Sequence, residues 1–287
     1  VHRLIYEHPN IKFILTGSSA RKLKRADANL LGGRAAIRSM HPYMAAELSE
    51  GFNFEKALQY GMLPVVWNSK MPEETLKGYV GTYLIEEVKN EGIVRKLEAF
   101  SRFLEAASFS HGSTLNQASV SRECACNAVT IKGFFEVLND LLICFFLPVF
   151  SKHAKRDVIA HPKFYFFDTG VFRTLRPMGP LDKDSEIDGP ALEGLVGQHL
   201  RAWCDYSRGN HKLHFWRTRG GLEVDFIVYG ENGLYALEVK NSDRIRTDDL
   251  EALNAFSEDY PIAQLYLLYR GKETLKKGNI LCVPCEK

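Results

Sequence analysis

Asp225, Glu238 and Lys240 stand in the spacing Asp-x12-Glu-x-Lys. They fall in two apolar runs of period two, Glu223-Val-Asp225-Phe-Ile-Val-Tyr and Leu234-Tyr-Ala-Leu-Glu238-Val-Lys240, around a Gly-Glu-Asn-Gly turn at 230–233. That pattern predicts a β-hairpin. Side chains two apart on a strand point the same way, so Glu223 shares a face with Asp225, and Glu238 with Lys240. Carboxylates gathered at one edge of the hairpin raise one another's pKa, and a hard divalent cation is the usual compensation. Magnesium-dependent phosphodiester chemistry is the expectation this sets up. A Glu-x-Lys alone on a strand is more often a solvated ion pair, so the reading depends on what else joins the set.

Upstream, Gly189-Pro-Ala-Leu-Glu193-Gly-Leu-Val-Gly-Gln-His-Leu-Arg-Ala-Trp203 places Leu192, Val196, Leu200 and Trp203 at helical spacing, with Glu193 beside that seam. After the hairpin, Leu250, Leu253 and Phe256 predict a covering helix, and Gln264–Tyr269 a buried strand. Helix, hairpin, helix, strand, with acidic residues at these places, resembles the PD-(D/E)XK nuclease superfamily and its restriction-endonuclease-like fold. The resemblance implies that Glu193, Asp225 and Glu238 hold Mg²⁺ and that Lys240 orients or deprotonates the attacking water. It further implies that Arg217, Arg219 and Gly220-Gly221 let a DNA backbone approach closely. Many members of the superfamily have lost cleavage, so the alternative it carries is a catalytically inactive DNA- or protein-binding regulatory module.

The first third has a different character. Ile11-Lys-Phe-Ile-Leu-Thr-Gly-Ser-Ser19 reads as a short strand, and Leu30-Leu-Gly-Gly-Arg34 and Met40-His-Pro-Tyr-Met-Ala-Ala-Glu47 follow. This passage resembles the second half of an AAA+ ATPase core, in the archaeal and bacterial group where such a core precedes a winged helix and a restriction-endonuclease-like domain. By that resemblance Thr16 or Ser18 senses the γ-phosphate, and Arg34 reaches a neighbouring subunit's nucleotide. No Gly-x4-Gly-Lys-Ser/Thr occurs in the sequence, so ATP is expected only where a P-loop half is supplied. A truncated product, a fragment or half of a split ATPase is the reading that follows, and the partner is either that missing half or a second copy.

Between these regions, Phe54 to Gly92 reads as a helical lid, with Leu97, Phe100, Leu104 and Ala107 opening a further amphipathic helix. A short helix from Leu115, a longer one capped by Asn127, and apolar stretches at 143–147 and 164–167 give the order of a winged helix. Its recognition helix offers Lys132 against Glu136 and Asp140, which is poor for reading bases. Lys152, Lys155 and Arg156 in the wing are the better supplied with charge for phosphates, within a basic stretch that continues to His161 and Lys163. Pro177, Gly179 and Pro180, followed by Asp182 to Asp188, mark a linker.

The expected fold is therefore α/β: half of an AAA+ core over residues 1–52, a helical lid over 53–92, a winged helix over 93–180, and a restriction-endonuclease-like domain with a mixed sheet over 185–287. With 45% hydrophobic and 25% charged residues, the 287-residue chain has a globular composition, which argues against disorder. Its net charge of +2 does not announce a nucleic-acid binder, but residues 1–38 carry eight Lys or Arg against Glu7 and Asp27. No run of 18 apolar residues predicts a membrane span. Six scattered cysteines and no secretory signal point to a reducing cytoplasm, and Cys282-Val-Pro-Cys285 lacks the second pair that a zinc knuckle needs.

Overall fold

The structure is a computed structural model and describes residues 2–14, 36, 38–90 and 97–286. Thr16, Ser18 and Arg34 lie outside the described residues, and so does the expected nucleotide-sensing role. The architecture is mixed α/β, with a three-stranded antiparallel sheet and a six-stranded mixed sheet. Helices of seven residues or more are labelled here.

Residues 54–90 are helical, as the pattern predicts: α1 (Phe54–Tyr60), a turn at Pro64–Trp67, α2 (Pro72–Gly78), then a wide π turn leading into Ile85–Asn90. Asn53 caps α1 by accepting the Lys56 N–H at 2.8 Å, and Pro72 opens α2 where a missing N–H does no harm. Helix α3 (Leu97–Ser108) buries Phe100, Phe103, Leu104 and Ala107 at the expected spacing of three and four. It packs on α5 (Ala128–Asp140), where Phe103 meets Phe135 edge-on at 4.8 Å and Phe100 meets Phe134 at 5.1 Å. Between them lies α4 (Gln117–Glu123), and Asn127 caps α5 through Thr130 N.

Strands β1 (Ser113–Thr114), β2 (Cys144–Leu147) and β3 (Lys163–Phe166) form the small sheet in the order β1-β3-β2. Asp168 then caps α6 (Thr169–Leu175), its Oδ1 accepting from Gly170 N and Val171 N. Its Oδ2 accepts from Met62 N at 2.7 Å, so one buried carboxylate joins the helical region to this sheet. Gly170 is required there, because a Cβ would stand 2.1 Å from the Tyr60 carbonyl oxygen.

Helix α7 (Asp184–Tyr206) begins inside the stretch read as linker, which shortens that linker to residues before Asp184. Of the predicted seam, Leu192 is buried and Val196 and Leu200 pack at the edge of the core, whereas Trp203 is exposed and rests on the His211 ring at 4.5 Å; Leu195 and Ala202 complete the covered face. The large sheet runs β4 (Lys212–Arg217), β5 (Glu223–Gly230), β6 (Gly233–Lys240), β7 (Gln264–Tyr269), β9 (Ile280–Pro284), β8 (Leu275–Lys277). The predicted hairpin is β5–β6, the predicted strand is β7, and the predicted covering helix is α8 (Glu251–Asp259). Strands β4, β8 and β9 have no counterpart in the sequence reading.

The loop between β2 and β3, expected to project as a basic wing, instead lies along β4. Phe215 N donates to Pro148 O at 3.0 Å, Ile159 N to Arg217 O at 3.1 Å, and Val158 bridges Thr218. This pairing covers a strand edge that would otherwise be open. Phe150 from the same loop enters the core formed by Trp216, Phe256 and Tyr260, while Phe226 and Val239 of the large sheet belong to the core that reaches back to Phe54. The small sheet thus shares one core with the large sheet, and the loop that joins β2 to β3 enters a second.

Asp168→Ala should lower stability by about 2–4 kcal/mol, since it strands three buried N–H donors at once. Urea unfolding of the two proteins, with Asp168→Asn as an intermediate case, measures the difference.

Candidate active site

Three elements bring acidic groups together, and a fourth supplies what balances them. Glu193 sits one turn into the buried half of α7, next to Gly194, where any Cβ would meet His111 Nε2 at 2.4 Å. That close approach lets Glu193 reach β3. Glu223 and Asp225 come from β5, and Glu238 and Lys240 from β6.

The pairing of β4 with β5 changes register between His214↔Ile227 and Trp216↔Val224, so Asp225 and Phe226 together face the single residue Phe215. This is a β-bulge, and it re-aims Asp225. Val224 packs in the core toward α8 and Phe226 in the core toward α7, with Asp225 between them. Asp225 Oδ2 accepts from Val239 N at 2.9 Å, and Asp225 N lies 3.4 Å from Glu238 Oε2. On β6, Glu238 and Lys240 continue the side of Leu234 and Ala236, which pack toward α8, whereas Leu237 and Val239 pack toward α7.

At the centre stands Lys163, the first residue of β3, with 1% of its side chain exposed. Its Nζ donates to Glu223 Oε1 at 2.6 Å, Glu193 Oε1 at 2.8 Å and Asp225 Oδ1 at 3.1 Å. Tyr165, two residues along the same strand face, donates its hydroxyl to Glu193 Oε1 at 2.5 Å. Arg217 Nη1 reaches Glu223 Oε2 at 3.0 Å, and Lys240 Nζ reaches Glu238 Oε1 at 2.7 Å. Four carboxylates therefore face three cations, a surplus of one negative charge in a buried place.

The titration behaviour follows first from burial and then from that surplus. Burial pushes the Glu193 carboxyl up to about 7, with Asp225 adding to the rise and Lys163 opposing it. Burial likewise raises Glu238 to about 8, assisted by Asp225 and opposed by Lys240. Desolvation pulls on the Lys163 ammonium, but Glu193, Tyr165, Asp225 and Glu223 together hold it well above the ordinary lysine value. The cluster keeps a proton near neutral pH in place of a further cation.

Of the expected metal ligands, the fold joins Glu193 to Asp225 through Lys163, and Asp225 to Glu238 across the hairpin. It does not turn Glu193 and Glu238 to the same side. The oxygens that face one another around Lys163 are already bound to its ammonium, so the donor set as folded does not fit a divalent ion. Among the described residues no three His, Cys, Asp or Glu side chains are grouped to hold one. Lys163 was read as part of a basic surface stretch; the structure makes it the hub of the site. Its signal was the alternation Lys163-Phe-Tyr165-Phe, which puts a lysine and a tyrosine on one strand face.

The residues expected to touch nucleic acid are engaged elsewhere. Arg156 binds Asp259 and Glu258, and Lys155 Nζ donates to the Glu258 carbonyl at 3.0 Å, both at the end of α8. Arg217 pairs with Glu223, and the exposed Arg219 lies 3.6 Å from Asp157. Among the described residues Lys152 alone of the five has no such acidic or carbonyl partner; its Nζ lies 4.4 Å from the centre of the Tyr229 ring.

Comparison with known proteins matches the chain in two stretches, the second of which begins inside α7. Residues 188–287 match the model of a domain of unknown function, DUF4143, found in AAA-ATPase-associated proteins, and residues 51–182 match that of another, DUF8612. An uncharacterized protein of Methanocaldococcus jannaschii is 26% identical over 253 residues, covering 76% of this chain. The alignment spans 53% of that relative, so the chain corresponds to about half its length. No solved structure matches the chain. Among the described residues no helix is long and apolar enough to cross a membrane.

Lys163→Met should destabilise the fold by about 3–5 kcal/mol, the usual effect of removing one partner from a buried ionic cluster. Chemical denaturation checks this, and a smaller loss in Lys163→Met/Asp225→Asn than in Lys163→Met alone would locate the effect in the cluster.

Because Glu193 and Glu238 bind their protons more tightly folded than unfolded, their contribution to stability is full below about pH 4.5 and is lost as pH rises through 7 to 8. Asp168, raised to about 6 by burial, acts in the same direction. The melting temperature should fall between pH 5 and pH 8.5 (roughly the span of these carboxyls), and Glu238→Gln should flatten the upper part of that slope.

Proposed function

We propose that residues 185–287 form a restriction-endonuclease-like domain that retains the side chains of a PD-(D/E)XK site but serves as a non-cleaving module of an AAA+-type ATPase. The observation that carries this reading is the Lys163 ammonium, within 3.1 Å of Glu193, Glu223 and Asp225, at the place where a nuclease would need its cation. In support stand the order α7, β5–β6 hairpin, α8, β7 and the filled positions Glu193, Asp225, Glu238 and Lys240. The match of residues 188–287 to a domain found in AAA-ATPase-associated proteins agrees with an ATPase context. The preceding α4, α5 and β1–β3, with their capped helices and antiparallel sheet, are read as a winged helix whose wing is turned inward against β4.

In this reading each catalytic-type residue has a structural duty. Lys163 and Tyr165 fix the Glu193 carboxylate, Asp225 pins the bulge to the Val239 N–H, and Lys240 neutralises Glu238. Nucleotide chemistry, with Thr16, Ser18 and Arg34 in sensing roles, belongs to a complete ATPase core assembled with a P-loop half.

A second reading is Mg²⁺-dependent hydrolysis of DNA, which the presence of all four motif positions favours. Supercoiled plasmid incubated with the chain and Mg²⁺ or Mn²⁺ separates the two. The non-cleaving reading expects the plasmid to remain supercoiled with wild type and with Asp225→Ala alike. Metal-dependent nicking by wild type that vanishes in Asp225→Ala and Lys240→Ala would overturn it.

A further inference from the structure

Residues 41–48, ahead of α1, are fastened to the end of α7 at two points. At the first, His41 N donates to the Tyr206 hydroxyl at 3.0 Å, and His41 Nε2 lies 2.6 Å from Asp205 Oδ2. The His41 side chain, 4% exposed, stands edge-on to the Tyr206 ring at 5.5 Å. At the second, Ala45 N donates to His199 Nε2 at 3.0 Å, and His199 Nδ1 lies 2.8 Å from the Leu195 carbonyl oxygen.

These partners fix the protonation state of His199. A backbone N–H only donates and a backbone carbonyl only accepts, so Nδ1 carries the hydrogen and Nε2 offers a lone pair. Ala45 opens the helical turn Ala45–Leu48, and its N–H is one of those that a helix start leaves without an internal acceptor. The imidazole supplies that acceptor. A second proton on the ring sets one donor against another at this contact, so only the neutral ring closes it.

The surrounding charges do not reverse this. Burial holds His199 below the ordinary histidine value, with the Leu195 carbonyl and the Glu47 carboxylate opposing. Glu47 is itself retained by the Met44 N–H at 2.8 Å. At the first point burial also lowers His41, its hydrogen bond to Asp205 opposes, and Arg201 adds to the lowering. A proton on His41 still leaves an N–H for Asp205, so acid that opens the second point leaves the first intact.

We propose that residues 41–48 form a proton-released clasp on α7, closed while His199 is neutral and opened at its Ala45 end when His199 takes up a proton, with the His41–Asp205 contact as the retained end. The contribution of the closed form is full above about pH 6.5 and is lost as pH falls toward the lowered value that His199 has in the clasp. The same helix carries Glu193, so the clasp governs which stretch of chain rests on the element that bears the buried acidic cluster. It uses no residue of that cluster and stands independently of what the cluster does.

Amide hydrogen exchange, corrected for the intrinsic rate at each pH, tests it. From about pH 7.5 to about pH 5, protection at Ala45 should fall by at least ~10-fold, while protection in the last turn of α1 stays within about 2-fold. His199→Gln, whose side-chain oxygen accepts an N–H whatever the pH, should remove the fall. The ring-nitrogen NMR shifts of His199 in the unaltered chain supply a readout that needs no variant: hydrogen on Nδ1 with Nε2 bare at the upper pH, and both nitrogens protonated once Ala45 is free. If the glutamine does not seat, the ring shifts decide. Protection at Ala45 that does not change with pH, a fall equally large in a folded His199→Gln, an equal fall across α1, or a ring with its hydrogen on Nε2 at the upper pH would each overturn the proposal.

Discussion

A lysine ammonium with no access to water must be surrounded by acceptors, and Lys163 is surrounded by three carboxylates from two other elements. Removing an ion of this size from water costs several kcal/mol even after relaxation, so the arrangement persists only because its partners would be worse off without it. Glu193, Glu223 and Asp225 in turn cannot share a buried space as bare anions. The dependence is mutual, and it crosses the chain: the cation comes from β3 of the small sheet and the anions from α7 and β5 of the larger unit. Each half of the cluster is a liability until the other half docks. The docking that the cluster needs is completed by apolar and backbone contacts, with Phe226 in the core shared with the small sheet, Phe150 inserted into the second core, and the loop between β2 and β3 paired along β4.

The sequence made visible what periodicity controls. Alternation defined β5, β6 and β7, the three-and-four spacing defined α3 and α8, and Asn127 announced the start of α5. Composition misled where small residues do the packing. In α7 the covered face is built from Ala191, Gly194, Gly197 and Ala202 together with Leu192 and Leu195, with Val196 and Leu200 at its margin, so of the predicted seam only the large apolar Trp203 falls outside the core. The bulge at Asp225 was illegible for a different reason. A bulge is a mismatch between partners, and β4, the partner that defines it, carries Lys212 and His214 among its apolar residues and did not read as a strand.

Charge was misread in the same way, because a run of lysines and arginines gives no direction. Arg156 and Lys155 turn toward the last turn of α8, donating to the carbonyls of Ala255 and Glu258 where the helix end is negative. Lys163 enters the core because residue 165 beside it is a tyrosine with a hydroxyl for Glu193 and residues 164 and 166 are phenylalanines that face the other way into α5 and His111. A basic stretch that looked uniform is divided by the fold into a structural cation, two helix-end contacts and a lysine set over an aromatic ring.

The nuclease-type residue set shows how much a site depends on geometry beyond residue identity. A divalent ion requires oxygens that converge from one side with lone pairs free. Here the bulge holds Asp225 in the plane of the sheet, one oxygen bound to Val239 N and the other to Lys163, while Glu193 and Glu238 approach from the two faces. Substituting a single ligand would not create or abolish such a site; what decides is whether Lys163 stays in place and whether the β4–β5 register keeps its extra residue. Lys163 belongs to a strand whose neighbours Phe164 and Phe166 are buried against α5, β2 and His111. Withdrawing the ammonium therefore requires moving the small sheet as a body, against the ladder along β4 and the insertion of Phe150. The same contacts that stabilise the fold thus hold the acidic cluster in its lysine-bound form.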